Sequence, residues 1–285
     1  IKRKIKVVVF SAANVTGVLF MMKKITLLLS NVFEKPFSKD ELIAERYQVI
    51  THLGAGGYGH SYLVYDLKSR QKKVLKALRL HKRLAPSGRG SFELEKVLLD
   101  SIDHPGFPRY FEEGNYNNIP FYTMEFIEGM NFEQLIFSEG RKISEKEAFQ
   151  IVNKLLTPLE YLHNRKIIHR DIRIPNVITD GSNIRLIDLG LGRHFHHENE
   201  VVKTKENHLR KEINFQADFY GLGHFLLFLL YSNFTFSKDL QETSWEEELK
   251  ISNHAKHIIR RLLQIEPAYE NCAQIRAEII NSYLI

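Results

Sequence analysis

The tightest constraint in this chain is an eight-residue run, His169-Arg170-Asp171-Ile172-Arg173-Ile174-Pro175-Asn176, with Asp188-Leu189-Gly190 beginning twelve residues after Asn176. Short apolar stretches frame both pieces. Lys166-Ile167-Ile168 precedes the first, Val177-Ile178 follows it, and residues 184–187 lead into the second. Such stretches read as short strands, which puts the polar residues at strand ends and turns. Phosphoryl transfer needs carboxylate and amide oxygens on a magnesium ion and a carboxylate near the incoming hydroxyl. Asp171, Asn176 and Asp188 supply that set.

Upstream, Leu53-Gly54-Ala55-Gly56-Gly57-Tyr58-Gly59 contains G-x-G-x-x-G. The same spacing serves dinucleotide folds when it joins a strand to a helix. Here it lies between two strand-like runs, residues 47–53 and 62–66, so it reads as a hairpin. Glycine lets backbone N–H groups approach phosphate oxygens with no Cβ in the way; a plain hairpin is the other reading. A third run, residues 72–78, carries Lys76. It reads either as a phosphate-binding lysine or as a solubility lysine on an edge strand within a basic stretch. Residues 92–102 show a helical stripe of Phe92, Leu94, Val97, Leu98 and Ile102. On that helix Glu95 and Glu93 compete as the carboxylate for Lys76, and the nine-residue spacing to His104 favours Glu95.

Two more strands are expected near residues 109–112 and 120–126, and helices dominate after Gly129. Ser38 reads as the N-cap of an amphipathic lead-in over residues 33–45, and Asn131 as a cap further on. Ser144, with Glu147 three residues later, has the form of a capping box ahead of a stripe from Phe149 to Leu162. Residues 219–231 are apolar nearly all round, as a buried helix should be. Residues 251–263 and 272–283 complete a helical end, and Trp245 with Glu246, Glu247 and Glu248 reads as a surface helix start.

Together these residues resemble the protein kinase superfamily, of the eukaryotic-like serine/threonine type, over residues 47 to about 277. The match includes H-R-D-x-x-x-x-N and D-F-G with Leu189 in place of Phe. The resemblance implies an α+β, two-lobed kinase fold, with a small antiparallel β-sheet lobe bearing one helix and a larger α-helical lobe. Residues 46–126 and 127–285 would be the lobes and residues 1–45 an N-terminal extension. It implies transfer of the ATP γ-phosphoryl group to Ser/Thr hydroxyls of a protein substrate, with Mg²⁺. Gly54, Gly56 and Gly59 would cover the phosphates, and Lys76 and Glu95 would form an ion pair. Asp171 would orient or accept from the hydroxyl, and Asn176 and Asp188 would hold the metal. Met124, Glu125 and Ile127 would line the adenine hinge, and Val74 and Ile178 would sandwich the ring. Asp218 resembles the buried aspartate that holds the catalytic loop.

Departures from the family pattern carry information too. Arg173 stands where a γ-phosphate lysine is usual, and arginine changes the geometry while keeping the charge. Ser61 replaces a valine over the adenine. The segment between Asp188 and Asp218 is short and lacks A-P-E, and Glu270 stands where its arginine partner would be. Losing both members together avoids an unpaired buried charge and suggests a pruned, bacterial-type activation segment. Thr204 is the only hydroxyl residue in that segment and its sole candidate phosphosite, with Arg170 as the natural partner. The pruning also motivates two alternatives: a pseudokinase scaffold, or a small-molecule or sugar kinase built on the same core. His194, His196 and His197 raise a metal reading, which two adjacent loop histidines seldom sustain.

The formal charge of +6 is wholly accounted for by six basic residues within residues 1–30, which contain no acid. The rest of the chain is balanced, so nothing favours nucleic acid as a partner. Residues 7–22 form an uncharged run of 16, shorter than the roughly 20 apolar residues a spanning helix needs. Membrane contact is therefore expected only if residues 1–30 belong to the native protein. One cysteine, Cys272, excludes an intrachain disulfide and points to a reducing, cytoplasmic setting.

Overall fold

Alternating apolar residues build a sheet first. The computed structural model describes residues 35–56, 59–83, 86–195, 214–234 and 243–284. Its first strands are β1 (Leu42–Ile43), β2 (Tyr47–Ala55), β3 (Gly59–Asp66) and β4 (Gln71–Leu78), and β5 (Tyr110–Tyr116) and β6 (Ile119–Glu125) follow. They form one six-stranded sheet in the order β1-β2-β3-β4-β6-β5. Ile43, Tyr47, Val49, Tyr62, Val64, Leu75, Ala77 and Phe121 make its core. Each large side chain among them contributes about 1.5–3 kcal/mol on burial. β3 and β4 pair without a break from Gly59↔Leu78 to Asp66↔Gln71. β2 and β3 slip in register at Val49/Thr51 and His52/Gly54, which bends the strands.

The lead-in is not helical. Ser38 caps nothing; its own N–H donates to Glu41 Oε2 at 2.8 Å. Asp40, Ala44 and Glu45 all have positive φ, which a helix forbids. Ile43 is fully buried, so the segment docks through β1 instead.

A charged cluster closes one end of the sheet. Asp66, with no exposed surface, accepts from Arg46 Nε at 2.7 Å and Nη2 at 2.8 Å. Lys73 Nζ lies 2.7 Å from Oδ2, the oxygen that Arg46 Nη2 also reaches. The Arg46 guanidinium holds the Asp66 carboxyl far below the usual carboxylate range. Glu112 accepts from the Tyr47 hydroxyl at 2.8 Å.

Helices follow, α1 (Leu80–Arg83) and α2 (Pro86–Asp100). α2 starts earlier than the apolar stripe suggests, with proline at its first position, where no N–H is needed. Beyond β7 (Met130–Asn131), Asn131 Oδ1 accepts from Gln134 N at 2.8 Å and Gln134 Oε1 from Asn131 N at 3.1 Å. This reciprocal pair caps the helical turn that holds Gln134–Ser138. α3 (Glu145–Asn164) is capped by Ser144 through Glu147 N. The Glu147 carboxylate turns to Arg141 at 2.6 Å instead, so only half of the capping box forms. α4 (Phe215–Tyr231) buries Phe219, Leu222, Phe225, Leu226, Leu229 and Leu230, as a helix apolar nearly all round should. α5 (Trp245–Glu248), α6 (Asn253–Leu262) and α7 (Cys272–Ile279) follow. Ser252 and Asn271 cap the last two.

The chain divides into two compact units. One holds the described residues up to Phe92 together with Glu112–Thr123; the other holds Glu93–Phe111 and Met124 onward. Among the described residues no helix is long and apolar enough to cross a membrane. Residues 1–34 and Thr204 lie outside them.

Candidate active site

In the first unit the glycine hairpin joins β2 to β3. Gly56 N donates to Gly59 O at 2.9 Å, and a Cβ on Gly59 would sit 2.9 Å from the Ala77 carbonyl and 3.2 Å from Lys76 Cγ. Gly59 is therefore required by the close approach of β4. Gly54, at φ 156°, begins the turn; Gly57 and Tyr58 are not among the described residues. Lys76 pairs in register with Ser61 and is 5% exposed, with Val74 buried close by. β4 lies between β3 and β6, which removes the edge-strand reading of Lys76. A buried ammonium requires compensation, so its burial favours a functional role. Glu93 and Glu95, the two glutamates of α2, belong to the second unit, and Glu95 is 3% exposed. Glu93 has a 57% exposed side chain, paired with Lys96 at 2.6 Å.

In the second unit Asp218 organises the run around Asp171. It sits in the first turn of α4 with no exposed surface. Its Oδ1 accepts from Arg170 N at 2.6 Å, and its Oδ2 accepts from His169 N at 2.9 Å and faces His163 Nε2 at 2.9 Å. Arg170 is left-handed, at φ 65°, a conformation an arginine keeps only when its surroundings hold it there. Two-residue strand β8 (Ile167–Ile168) pairs with β11 (Arg193–His194) and fixes the approach to this turn. Burial pushes the His169 imidazole below its ordinary pKa, which keeps it neutral. Its Nδ1 accepts from Asp171 N at 3.2 Å.

Both oxygens of Asp171 are held. Asn176 Nδ2 donates to Oδ2 at 2.8 Å and to the Asp171 carbonyl at 3.0 Å. Arg173 Nε lies 3.1 Å from Oδ1. Ile174–Asn176 is a 3-10 turn leading into β9 (Val177–Thr179), which pairs with β10 (Ile184–Leu186) and β7. Ile187 N then donates to Asn176 O at 2.9 Å, which brings the next residue, Asp188, beside Asn176 in the chain path. Asp188 is left-handed, at φ 68°, and its Oδ1 accepts from Gly190 N at 3.2 Å. With Nδ2 committed to Asp171, Asn176 Oδ1 is the atom left for a cation. An amide oxygen beside a carboxylate suits a hard divalent ion such as Mg²⁺.

The expected hinge is anchored by its side chain. Glu125 Oε1 meets Arg185 Nη1 at 2.6 Å, Oε2 accepts from Arg109 N, and Glu125 N donates to Arg109 O at 2.8 Å. Its N–H is therefore committed, and the carbonyl is the group it can offer to a ligand. Met124 and Ile178 are partly buried and Ile127 is buried. Just beyond, Gly129, at φ 129°, runs so close to Thr179 that a Cβ would strike its carbonyl.

Sequence reasoning missed two residues behind the loop. His163 Nδ1 lies 3.8 Å from Cys272 Sγ, so the one cysteine touches the histidine that touches Asp218. Burial pushes the Cys272 thiol up to about 12, which makes it a packing group. The signal for His163 was its place on the buried stripe of α3, four residues after Leu159.

Glu270 is exposed and exchanges hydrogen bonds with Gln274. The turn before it is clipped from within: Arg261 donates to Pro267 O at 3.0 Å and pairs with Glu278, which accepts from the Tyr269 hydroxyl at 2.6 Å. Among the described residues no group of three or more His, Cys, Asp or Glu could hold a metal. His194 lies in β11, while His196 and His197 fall outside those residues.

Residues 47–271 match the protein kinase domain family. A probable serine/threonine-protein kinase of Bacillus subtilis, YbdM, is 36% identical over 254 residues, covering 89% of this chain and 95% of YbdM. The serine/threonine-protein kinase PrkC of the same organism is 29% identical over 150 residues, 52% of this chain but only 23% of PrkC. The kinase domain of Mycobacterium tuberculosis PknI superposes with a TM-score of 0.66 at 20% identity, covering 86% of this chain and 99% of that domain. That likeness shows the fold.

Proposed function

Since the chain belongs to the protein kinase family, as a serine/threonine protein kinase, we propose the roles its residues play in moving the ATP γ-phosphoryl group to a protein hydroxyl. Asp171 orients or accepts from the substrate hydroxyl, its carboxylate aimed by Asn176 and Arg173. Arg173 extends the free end of its guanidinium to the γ-phosphate. Lys76, supported by Glu95, and the backbone of Gly54, Gly56 and Gly59 take the other phosphates. Val74 and Ile178 flank adenine, Met124 lies behind it, and the Glu125 carbonyl and Ile127 backbone meet its edge. Asn176 Oδ1 and the Asp188 carboxylate hold Mg²⁺, which when bound neutralises phosphate charge. Residues 46–126 and 127–285 act as the two lobes. Thr204 is the phosphoacceptor of the activation segment, and the enzyme works in a reducing compartment.

The observation that carries this reading is the double hold on Asp171 from Asn176 and Arg173. A scaffold that only bound nucleotide would have no use for an aimed carboxylate. The test is γ-labelled ATP with Mg²⁺ and a generic basic protein, beside Asp171→Asn and Lys76→Ala. Label transfer lost in both variants supports the assignment. Full transfer by Asp171→Asn refutes it, and nucleotide binding without transfer by the unmodified chain would return the pseudokinase or small-molecule reading.

A further inference from the structure

Two histidines face one another at the root of the glycine hairpin. His52 lies on β2 two residues before Gly54, and His60 lies on β3 directly after Gly59. His52 Nε2 and His60 Nδ1 are 3.1 Å apart. Their rings are tilted at 52° with centroids 5.2 Å apart, and both stand beside the Tyr62 ring. The β2–β3 register slips between His52 and Gly54, and this irregularity sets two cross-strand side chains edge to edge.

We propose that His52 and His60 form a two-histidine site for a borderline divalent cation of the zinc or copper class, distinct from the Mg²⁺ residues. The geometry fits. Zn–N bonds are about 2.0–2.1 Å, and two of them meeting at about 100° span a gap of 3.1 Å between the nitrogens. The contact in the metal-free chain already needs one facing nitrogen to present a lone pair. The cation takes the place of the shared proton, which moves to the far nitrogen of its own ring. His52 is exposed whereas His60 is only 8% exposed, so the cation enters from the solvent side and seats against a fixed ring. Water completes its coordination. Imidazole donors select zinc, copper or nickel over the hard, oxygen-seeking Mg²⁺. A bound ion would staple β2 to β3 beside the hairpin.

The site is tested with the full chain, zinc chloride as the probe and Mg²⁺ in excess, by calorimetric titration and thermal melting. One zinc should bind per chain and raise the melting temperature. His52→Ala, a change at an exposed position, should weaken binding by more than about tenfold, the scale that follows loss even of a group that merely orients a ligand. His60→Gln should do the same. A chain with His194, His196 and His197 all changed to Ala should bind as the unmodified chain does. With Cu²⁺ in place of zinc, nitrogen hyperfine structure from two imidazoles should appear by electron paramagnetic resonance. Zinc affinity unchanged in His52→Ala, or lost in the triple variant, overturns the proposal. If His60→Gln does not fold, His52→Ala and the triple variant decide between them. Neither readout uses kinase activity, so the outcome is independent of the catalytic assignment.

Discussion

The Arg170 backbone N–H donates to Asp218 Oδ1 at 2.6 Å, across 48 positions of sequence. Through this bond and its neighbour at His169, a carboxylate buried in α4 fixes a left-handed arginine one residue before Asp171. Asp218→Asn keeps the shape but replaces one acceptor oxygen with an NH₂ that faces donors. Hydrogen bonds to charged groups are worth about 1.5–3 kcal/mol, so the variant should lose about that much stability. Its kcat should fall well beyond any change in KM for ATP, because the loop is misaimed while the nucleotide residues stand. Steady-state kinetics beside a melting curve would check both; an unchanged kcat would remove Asp218 from the positioning role.

Glu95 and Glu93 separate in the same way. The buried Glu95 should be indispensable and the exposed, Lys96-paired Glu93 dispensable. Glu95→Gln should lower kcat/KM by orders of magnitude if it serves the family's lysine–glutamate pair. Glu93→Gln should match the unmodified enzyme. Equal effects from the two would show that burial is a poor guide here.

The fold and the candidate site were legible where the signal is local. Asp171, Asn176 and Asp188 lie within eighteen residues of one another, and short strands announce them. Asn131 and Ser144 cap helices because their side chains need only the next turn. Ser38 misled because its partner Glu41 takes the serine's N–H, and because burial of Ile43 draws the chain into β1. Lys76 could not be told from an edge lysine until the sheet order put β4 inside. The links from Cys272 to His163 and from His163 to Asp218 span 109 and 55 positions, and no local pattern encodes such distances.

The Asp66 cluster makes a prediction about acid. Because Arg46 and Lys73 depress the folded-state pKa of Asp66, its contribution is complete above the unfolded carboxylate value of about 3.9. It drains away as pH falls from there toward the folded value. Stability from this group should thus be flat from neutral pH down to about 5 and erode below about 4. Asp66→Asn leaves Lys73, 5% exposed, without its closest counter-charge, so it should cost about 3–5 kcal/mol at neutral pH. It should also flatten the acid limb. Urea midpoints from pH 3 to 7 would show both; parallel curves for the two proteins would contradict the linkage.

Arg173 differs from the lysine usual at its position by offering a fork. Its Nε is engaged with Asp171, and its terminal nitrogens are the ones proposed to meet phosphate. Arg173→Ala should reduce kcat by about 100-fold, the scale for removing one preorganised donor. Lysine keeps the charge but cannot serve both partners at once, so Arg173→Lys should fall between the two. Arg173→Ala with full activity would mean that Asn176 alone aims Asp171.

The proposed roles give Asn176 two tasks that one substitution can pull apart. Its Nδ2 holds Asp171 at 2.8 Å, and its Oδ1 is the ligand proposed for Mg²⁺. Asn176→Asp retains the metal-facing oxygen and adds charge, so the Mg²⁺ concentration for half-maximal activity should fall. The same change sets a second carboxylate against Asp171 Oδ2 where a donor stood, and like charges at that range repel strongly. The maximal rate should therefore drop even at saturating Mg²⁺. Asn176→Ala removes both contacts and should raise the Mg²⁺ requirement while lowering the rate. Mg²⁺ activation curves for the three proteins give both quantities at once. If Asn176→Asp requires more Mg²⁺ than the unmodified enzyme, Oδ1 is not a metal ligand and Asn176 serves Asp171 alone.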